Sequence, residues 1–333
     1  MKSLKKQHQN PPESTANLKN MALDFINAGV GCNCLVALSA AGVLKKLIDN
    51  QILPEEELET FDNPMCIKSA LVTLEKCRAI EKGSDSYKLT ELGIALCEYI
   101  GLITIFFDGY GTLVANQASI VLNKSSGLEK LVKWPVVSES SIHISKTAVD
   151  PILIEEFTRL NLPGTICDLG CGHGVMLSKI CKRTGNPGLG FESSGETVRQ
   201  ANQQLAHNIT IEVADIQCLQ GIWEDVIFLI QAFVFHDFAP EDKCINILNS
   251  YLESFPNLKY FFYIDIVTPC NSKNEIFPGF DYVHGLLGVP TRTYEETIRM
   301  FNFSNFTVMK EVCIPDLPNA FLWILSPKER NLR

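Results

Sequence analysis

Ile166-Cys167-Asp168-Leu169-Gly170-Cys171-Gly172-His173-Gly174 reads as an apolar strand running into a glycine-rich turn that opens a helix. Glycines suit such a turn because the backbone must bend tightly and let a ligand lie against it with no Cβ between them. The spacing is Gly-x-Gly-x-Gly with an acid two residues before it. A dinucleotide fold would show Gly-x-Gly-x-x-Gly, with a pyrophosphate at the helix N-terminus, where the carboxylate of Asp168 would repel it. An amine-bearing or cationic ligand fits that carboxylate better. His173 reads as a spacer within the turn.

Outward from this turn the chain alternates. Strands are expected near Thr165 to Leu169, Leu189 to Glu192, Ile209 to Val213, Val226 to Ile230, Tyr260 to Ile266, Thr307 to Val312 and Phe321 to Leu325, with helices from Val175 and over Gly195 to Leu205. Such alternation implies a mostly parallel sheet covered on both faces. Acids close three successive strands: Asp168, then Glu192 twenty-four residues on, then Asp215 in Val213-Ala214-Asp215-Ile216. An acid at the position of Glu192 suits two ribose hydroxyls, as one about 20 residues on does in dinucleotide binders. Each acid could also merely cap the helix that follows it, Asp215 above all.

This pattern resembles the class I S-adenosylmethionine-dependent methyltransferases. The resemblance implies an α/β fold with a Rossmann-like seven-stranded sheet of order 3-2-1-4-5-7-6. It also implies a S-adenosyl-L-methionine site lined by Asp168, Gly170, Gly172, Gly174, Glu192, Asp215, Ile216 and Gln231. After the fourth strand comes Gln231-Ala232-Phe233-Val234-Phe235-His236-Asp237-Phe238, at the sheet edge where open α/β folds bind ligands. Here the chain resembles small-molecule methyltransferases of the caffeate type, in which a His-Asp pair supplies the general base. By that likeness His236, Asp237 and Asp265 form the catalytic set. Where the family's second orienting acid would precede Arg292-Thr293, this chain has Thr291, so a base at His236 would be less well oriented for taking a hydroxyl proton.

The stretch Phe280-Asp281-Tyr282-Val283-His284-Gly285-Leu286-Leu287, with Gly109-Tyr110-Gly111 upstream, resembles metal-dependent C-methyltransferases of 2-oxo acids. That resemblance implies His236, Asp237 and His284 as ligands of Fe(II) or Zn(II), and Phe233, Tyr282 and Tyr110 as substrate contacts. The open alternatives are a core histidine at His284, a helix cap at Asp237, and a metal-free O-methyltransferase of a phenolic substrate.

The N-terminal half reads differently. Apolar residues recur at helical spacing around Leu35, Leu38, Ala41 and Leu44, then around Ile67, Leu71 and Leu74. Ala79 to Thr90 predicts two short strands about a Gly/Ser/Asp turn, with Thr90 capping a helix at Glu91. Helix, two-stranded wing, helix is a winged-helix pattern, and the family likeness implies that it dimerises. From Met21 to Ile100 there are 7 Lys and Arg against 12 Asp and Glu, and the whole chain of 333 residues carries a formal charge of −9, which leaves no basic face for nucleic acid. A non-catalytic interaction protein built on this module is the reading from another class.

The expected organisation is a flexible leader over 1–20, a winged-helix-like dimerisation domain over 21–100, connecting helices over 101–161 and a cofactor-binding catalytic domain over 162–333. The leader has no hydrophobic core of a signal peptide. The stretch from Ile100 to Phe107 falls short of the roughly 20 apolar residues a span needs, and the 12 cysteines read as reduced thiols. The chain is therefore expected to be a cytoplasmic homodimer acting on a small molecule, with neither nucleic acid nor membrane as partner.

Overall fold

The computed structural model describes residues 15–123, 126–268, 278–289, 291–315, 317 and 319–328. They form two compact units, Met1–Asp108 and Gly109–Arg333. Met1 to Ser14, and Pro269 after the fifth strand of the large sheet, lie outside the described residues.

The first unit opens with helix α1 (Thr15–Ala40), which begins inside the stretch read as a leader. Helix α2 (Val43–Asn50) follows. The apolar spacing through Leu35, Leu38, Ala41 and Leu44 suggested one segment, but Gly42 adopts φ 74° and breaks it there. Next come strand β1 (Leu53–Pro54), helix α3 (Pro64–Lys76), and the hairpin β2 (Ile80–Lys82) and β3 (Ser86–Leu89). The three strands pair in the order β1-β3-β2. Thr90 accepts a hydrogen bond from Gly93 N–H at 3.0 Å and caps helix α4 (Glu91–Glu98), as its sequence predicts. The short helix α5 (Ile100–Thr104) follows. Leu35, Leu38, Leu44, Leu71, Leu74 and Tyr87 are buried together in this unit.

Helix α1 also corrects the sequence reading. Its segment Asn17–Ala40 is long and apolar enough to cross a membrane, the only such single helix among the described residues, and little of it is buried. Lys19 and Asp24 are its only charged side chains, so the longest apolar run lies here and not at Ile100 to Phe107.

The second unit begins with helices α6 (Gly111–Ala115), α7 (Gln117–Leu122), α8 (Trp134–Ile144) and α9 (Asp150–Leu160). Then strand β4 (Thr165–Leu169) leads to helix α10 (Val175–Thr184), β5 (Gly188–Glu192) to α11 (Gly195–Ala201), and β6 (Ile209–Val213) to β7 (Val226–Ala232). Helix α12 (Glu241–Ser254), strand β8 (Tyr260–Ile266), helices α13 (Pro278–Leu287) and α14 (Tyr294–Phe303), and strands β9 (Phe306–Cys313) and β10 (Ala320–Pro327) complete it.

The seven-stranded sheet runs β6-β5-β4-β7-β8-β10-β9. Counted from β4, this is the expected order 3-2-1-4-5-7-6. Strands β4 to β8 are parallel to one another, and β10 is antiparallel to both β8 and β9. All five residues of β4 are buried, which fits a central parallel strand covered on both faces. A cluster including Leu169, Phe191, Leu229, Phe235, Tyr251, Phe261 and Trp323 packs one side of the sheet. The ends of β4, β5, β7 and β8 carry the candidate site.

Candidate active site

At the end of β4 the glycine turn takes the shape its composition demands. Gly170, Gly172 and Gly174 have φ of 78°, 54° and 67°, all left-handed. The turn is tied back to the next strand, with Gly170 N–H and Cys171 N–H both donating to Phe191 O at 2.8 and 3.0 Å. A Cβ placed on Gly172 would meet only Ser138 Oγ of α8, at 3.7 Å, so the face of the turn is open to a ligand. Ser138 lies in a segment with little sequence signal, and its place over the turn depends on a long-range packing of α8.

Asp168 is 2% exposed. Burial, with the negative charge of Glu192 and Asp150 nearby, pushes its carboxyl up to about 7. A buried acid held so high is poised for a cationic partner. Glu192 accepts from Gly172 N–H at 3.1 Å and from Ser194 N–H at 2.9 Å, and so bridges the glycine turn and the start of α11. Asp168, the three glycines and Glu192 therefore converge. Asp215 is exposed and accepts from Gln217 N–H at 2.9 Å, folding back on its own loop as a capping acid does. Ile216 is buried in the core, its carbonyl accepting from the Tyr251 hydroxyl at 3.0 Å. Gln231 is fully buried. With its amide oxygen facing the following loop, it accepts from Val234 N–H at 2.9 Å and Phe235 N–H at 3.2 Å, which shapes the segment carrying His236.

That segment leaves β7 through Phe233, whose φ of 57° is rare for a residue with a side chain. Its N–H donates to Ile264 O at 2.9 Å, which pins the kink to β8. A short turn, Phe235–Asp237, then presents His236 and Asp237. His236 Nδ1 lies 2.6 Å from Asp265 Oδ1 on the adjacent strand. Asp265 is further held by the Tyr263 hydroxyl at 3.2 Å and by Ile266 N–H at 3.0 Å. The acid fixes the ring and leaves Nε2 directed elsewhere. Nε2 is 3.9 Å from Asp237 Oδ1.

Helix α13 brings in the third group. His284 Nδ1 donates to Phe280 O at 2.8 Å, one turn earlier. Its Nε2 lies 3.5 Å from Asp237 Oδ1, is buried, and has no hydrogen-bond partner. The imidazoles of His236 and His284 are 5.0 Å apart and nearly perpendicular. One ligand atom from each of His236, Asp237 and His284 lies within 4.8 Å of the others. Burial opposes charge on both members of the inner pair, yet their mutual attraction wins. Asp265 and Asp237 hold His236 above its usual pKa, and the two histidines hold Asp237 below its own.

The geometry bears on two of the readings the sequence left open. Asp237 turns to the histidines and does not cap α12, whose N-cap is Pro240. His284 is no satisfied core histidine, because one ring nitrogen is orphaned. Tyr110 is buried with its ring 6.1 Å from that of His284, and burial together with Asp237 keeps its phenol protonated far above the ordinary range. Tyr282 is 44% exposed and donates to Gln117 of α7. Three residues the sequence reading left without roles join the site. Phe280 packs edge-on against His236 at 4.9 Å, Asp281 accepts from Thr268 Oγ1 at 2.8 Å and from Thr291, and Arg292 donates to the carbonyls of Phe235 and Phe238. The placing of Asp281 three residues before His284, on one helix face, was the available local signal.

A family profile described as "Methyltransferase domain" matches residues 163–271. Indolepyruvate C-methyltransferase of Streptomyces griseus is 31% identical over 276 residues, spanning 80% of this chain and 82% of that protein. Among solved structures, human N-acetylserotonin methyltransferase in complex with S-adenosylmethionine superposes with a TM-score of 0.69 at 16% identity, covering 96% of this chain and 99% of the other. LaPhzM does so with a TM-score of 0.69 at 16% identity, covering 93% and 99%. CalO1, a methyltransferase of calicheamicin biosynthesis bound to S-adenosylhomocysteine, gives 0.66 at 16% identity, covering 95% and 100%. The structural likenesses extend the fold over both units, and the sequence relationship to the Streptomyces enzyme places this chain among the class I S-adenosylmethionine-dependent methyltransferases.

Proposed function

We propose that this enzyme methylates the carbon next to the keto group of a small 2-oxo acid, with a divalent metal held by His236, Asp237 and His284. The observation that carries the reading is the pair of histidine Nε2 atoms turned toward one carboxylate, with the Nε2 of His284 buried and unpartnered. Each Nδ1 is already engaged, by Asp265 and by the Phe280 carbonyl, which sets the tautomer that leaves Nε2 as a ligand. Two imidazoles and a carboxylate with open positions suit Fe(II) or Zn(II). A bound metal supplies Lewis acidity to a chelating carboxylate and keto oxygen, which lowers the cost of enolisation.

The remaining work belongs to the chain. Asp168 and the open glycine turn hold the amino acid end of the methyl donor, and Glu192 lies where the ribose would sit. The rings of Tyr110 and Phe280, packed against His284 and His236, keep water from the ligand set, while Phe233 and the more exposed Tyr282 sort the acceptor's side chain. The overall change breaks one C–H bond beside the keto group and one S–CH3 bond and makes one C–CH3 bond. The electron pair returns to sulfur, and the proton is released.

We further infer that the first unit is a winged-helix-like dimerisation module and that the enzyme works as a cytoplasmic homodimer. The exposed apolar surface of α1 supports the dimer, and the acidic charge of this half argues against nucleic acid as its partner.

The test is metal analysis of protein purified without chelator, followed by labelled-donor assays on phenylpyruvate, branched 2-oxo acids and catechols, before and after stripping. Carbon methylation that is lost on stripping and regained with Zn(II) or Fe(II) is expected, with the new methyl located by NMR. Unchanged methylation of a catechol by fully stripped protein would instead establish the metal-free reading, with His236 as base and Asp265 as its orienter.

A further inference from the structure

Thr291 and Arg292 are neighbours in sequence, and each reaches a different part of the three-donor site. The guanidinium of Arg292 donates to Phe238 O at 2.8 Å and to Phe235 O, so one planar cation holds the carbonyls on either side of His236-Asp237. Close to it Tyr263 donates its hydroxyl to Asp265 Oδ2 at 3.2 Å, behind the His236 ring. Thr291 donates instead to Asp281 Oδ1, the oxygen that also receives the Thr268 hydroxyl. Asp281 lies in the first turn of α13, three residues before His284. The segment is itself anchored to the end of β8, because Thr268 N–H donates to Arg292 O at 2.8 Å.

A turn and a helix far apart in sequence thus share one two-residue fastening. Removing a cation's surroundings of water is costly unless its donors are matched, and the fixed fork of arginine matches two carbonyls where the single point charge of lysine does not. We propose that Thr291-Arg292 is the positioning element of the His236-Asp237-His284 ligand set, setting the His236-Asp237 turn through Arg292 and the His284 helix through Thr291 and Asp281. This inference rests on the metal reading above.

The experiment compares full-length wild type with Thr291→Val, Thr291→Ser and Arg292→Lys. Each is measured for Zn(II) affinity by chelator competition, for Co(II) ligand-field absorption, and for S-adenosylmethionine affinity by calorimetry. Thr291→Val and Arg292→Lys are expected to weaken Zn(II) by about 10- to 100-fold and to shift the Co(II) bands. Donor affinity should stay within about twofold, since the glycine turn shares no partner with these residues. Thr291→Ser, which keeps the hydroxyl, should bind Zn(II) within about threefold of wild type. Zn(II) bound by Thr291→Val as tightly as by wild type, with an unshifted Co(II) spectrum, would overturn the positioning role while leaving the metal reading intact. Loss of donor binding and of cooperative melting in that variant would overturn it too, by showing a general structural role. A wild type that takes up no Zn(II) or Co(II) would remove the metal reading, and this inference with it.

Discussion

A single buried carboxyl gives the clearest pH dependence at the residue scale. Asp168 sits at about 7 in the folded chain against an ordinary 3.8, so the folded state holds its proton more tightly than the unfolded one. Its contribution to stability is therefore present below about pH 4 and is lost as pH rises toward 7. Donor binding is expected to have the opposite sign, because in the proposed site the ammonium of S-adenosylmethionine pairs with the carboxylate. Between pH 5 and 7 the donor's association constant should climb by up to about tenfold per pH unit. Asp168→Asn should flatten that slope and weaken binding by about 10- to 100-fold, the worth of a charge-assisted hydrogen bond. Calorimetry at four pH values checks both, and an equally steep slope in the variant would refute the assignment. At the proposed metal site, His284→Ala should abolish stoichiometric Zn(II) uptake and leave donor affinity unchanged, read by elemental analysis and titration of the same sample. Asp168 and His236 were legible in sequence because each lies at or just beyond the end of a strand whose apolar run is local. Arg292 was not, since its partners Phe235 and Phe238 lie 57 and 54 residues away and nothing local records them.

Elements follow the same division between local and distant causes. The glycine turn is local: Gly174 has φ 67°, and a Cβ there would stand 2.6 Å from Ile211 Cδ1 of β6. Gly174→Ala should therefore cost about 1–2 kcal/mol from the left-handed backbone alone, seen as a lower midpoint in urea, and should weaken donor binding as the turn opens. The Thr90 cap is equally local. Thr90→Ala should cost about 1 kcal/mol by removing the acceptor for Gly93 N–H, with donor affinity unaltered. Strand positions across the large sheet matched the sequence pattern because short apolar runs of strand length and the turn residues that flank them are written within each segment. The limits of α1 were not legible, since polar Asn17, Lys19 and Asn20 mask its first turns and only Gly42 marks its end. Asp215 shows the converse case: its place after β6 was read correctly, but its side chain binds its own loop in the chain alone.

At the scale of the molecule, the open question posed by the structure is what covers α1. Phe25, Ile26, Leu23 and Met21 are 82%, 60%, 57% and 50% exposed around the first turns of the helix, a larger apolar surface than an isolated helix tolerates in water. A membrane could cover it, and so could a second copy of the chain. This surface lies on a helix whose far end packs Leu35 and Leu38 into the core of its own unit. A span would need the whole segment clear of that core, whereas a partner subunit needs only the free end. Two-fold pairing is the commonest arrangement of homo-oligomers and would bury such surfaces against each other. Light scattering should then give about twice 37.1 kDa for the wild type. Phe25→Asp, which puts a charge within this surface, should shift the population toward 37.1 kDa while the far-ultraviolet spectrum and donor affinity hold. Flotation of the wild type with neutral lipid vesicles, combined with a monomer in their absence, would reverse the conclusion and assign α1 to a bilayer.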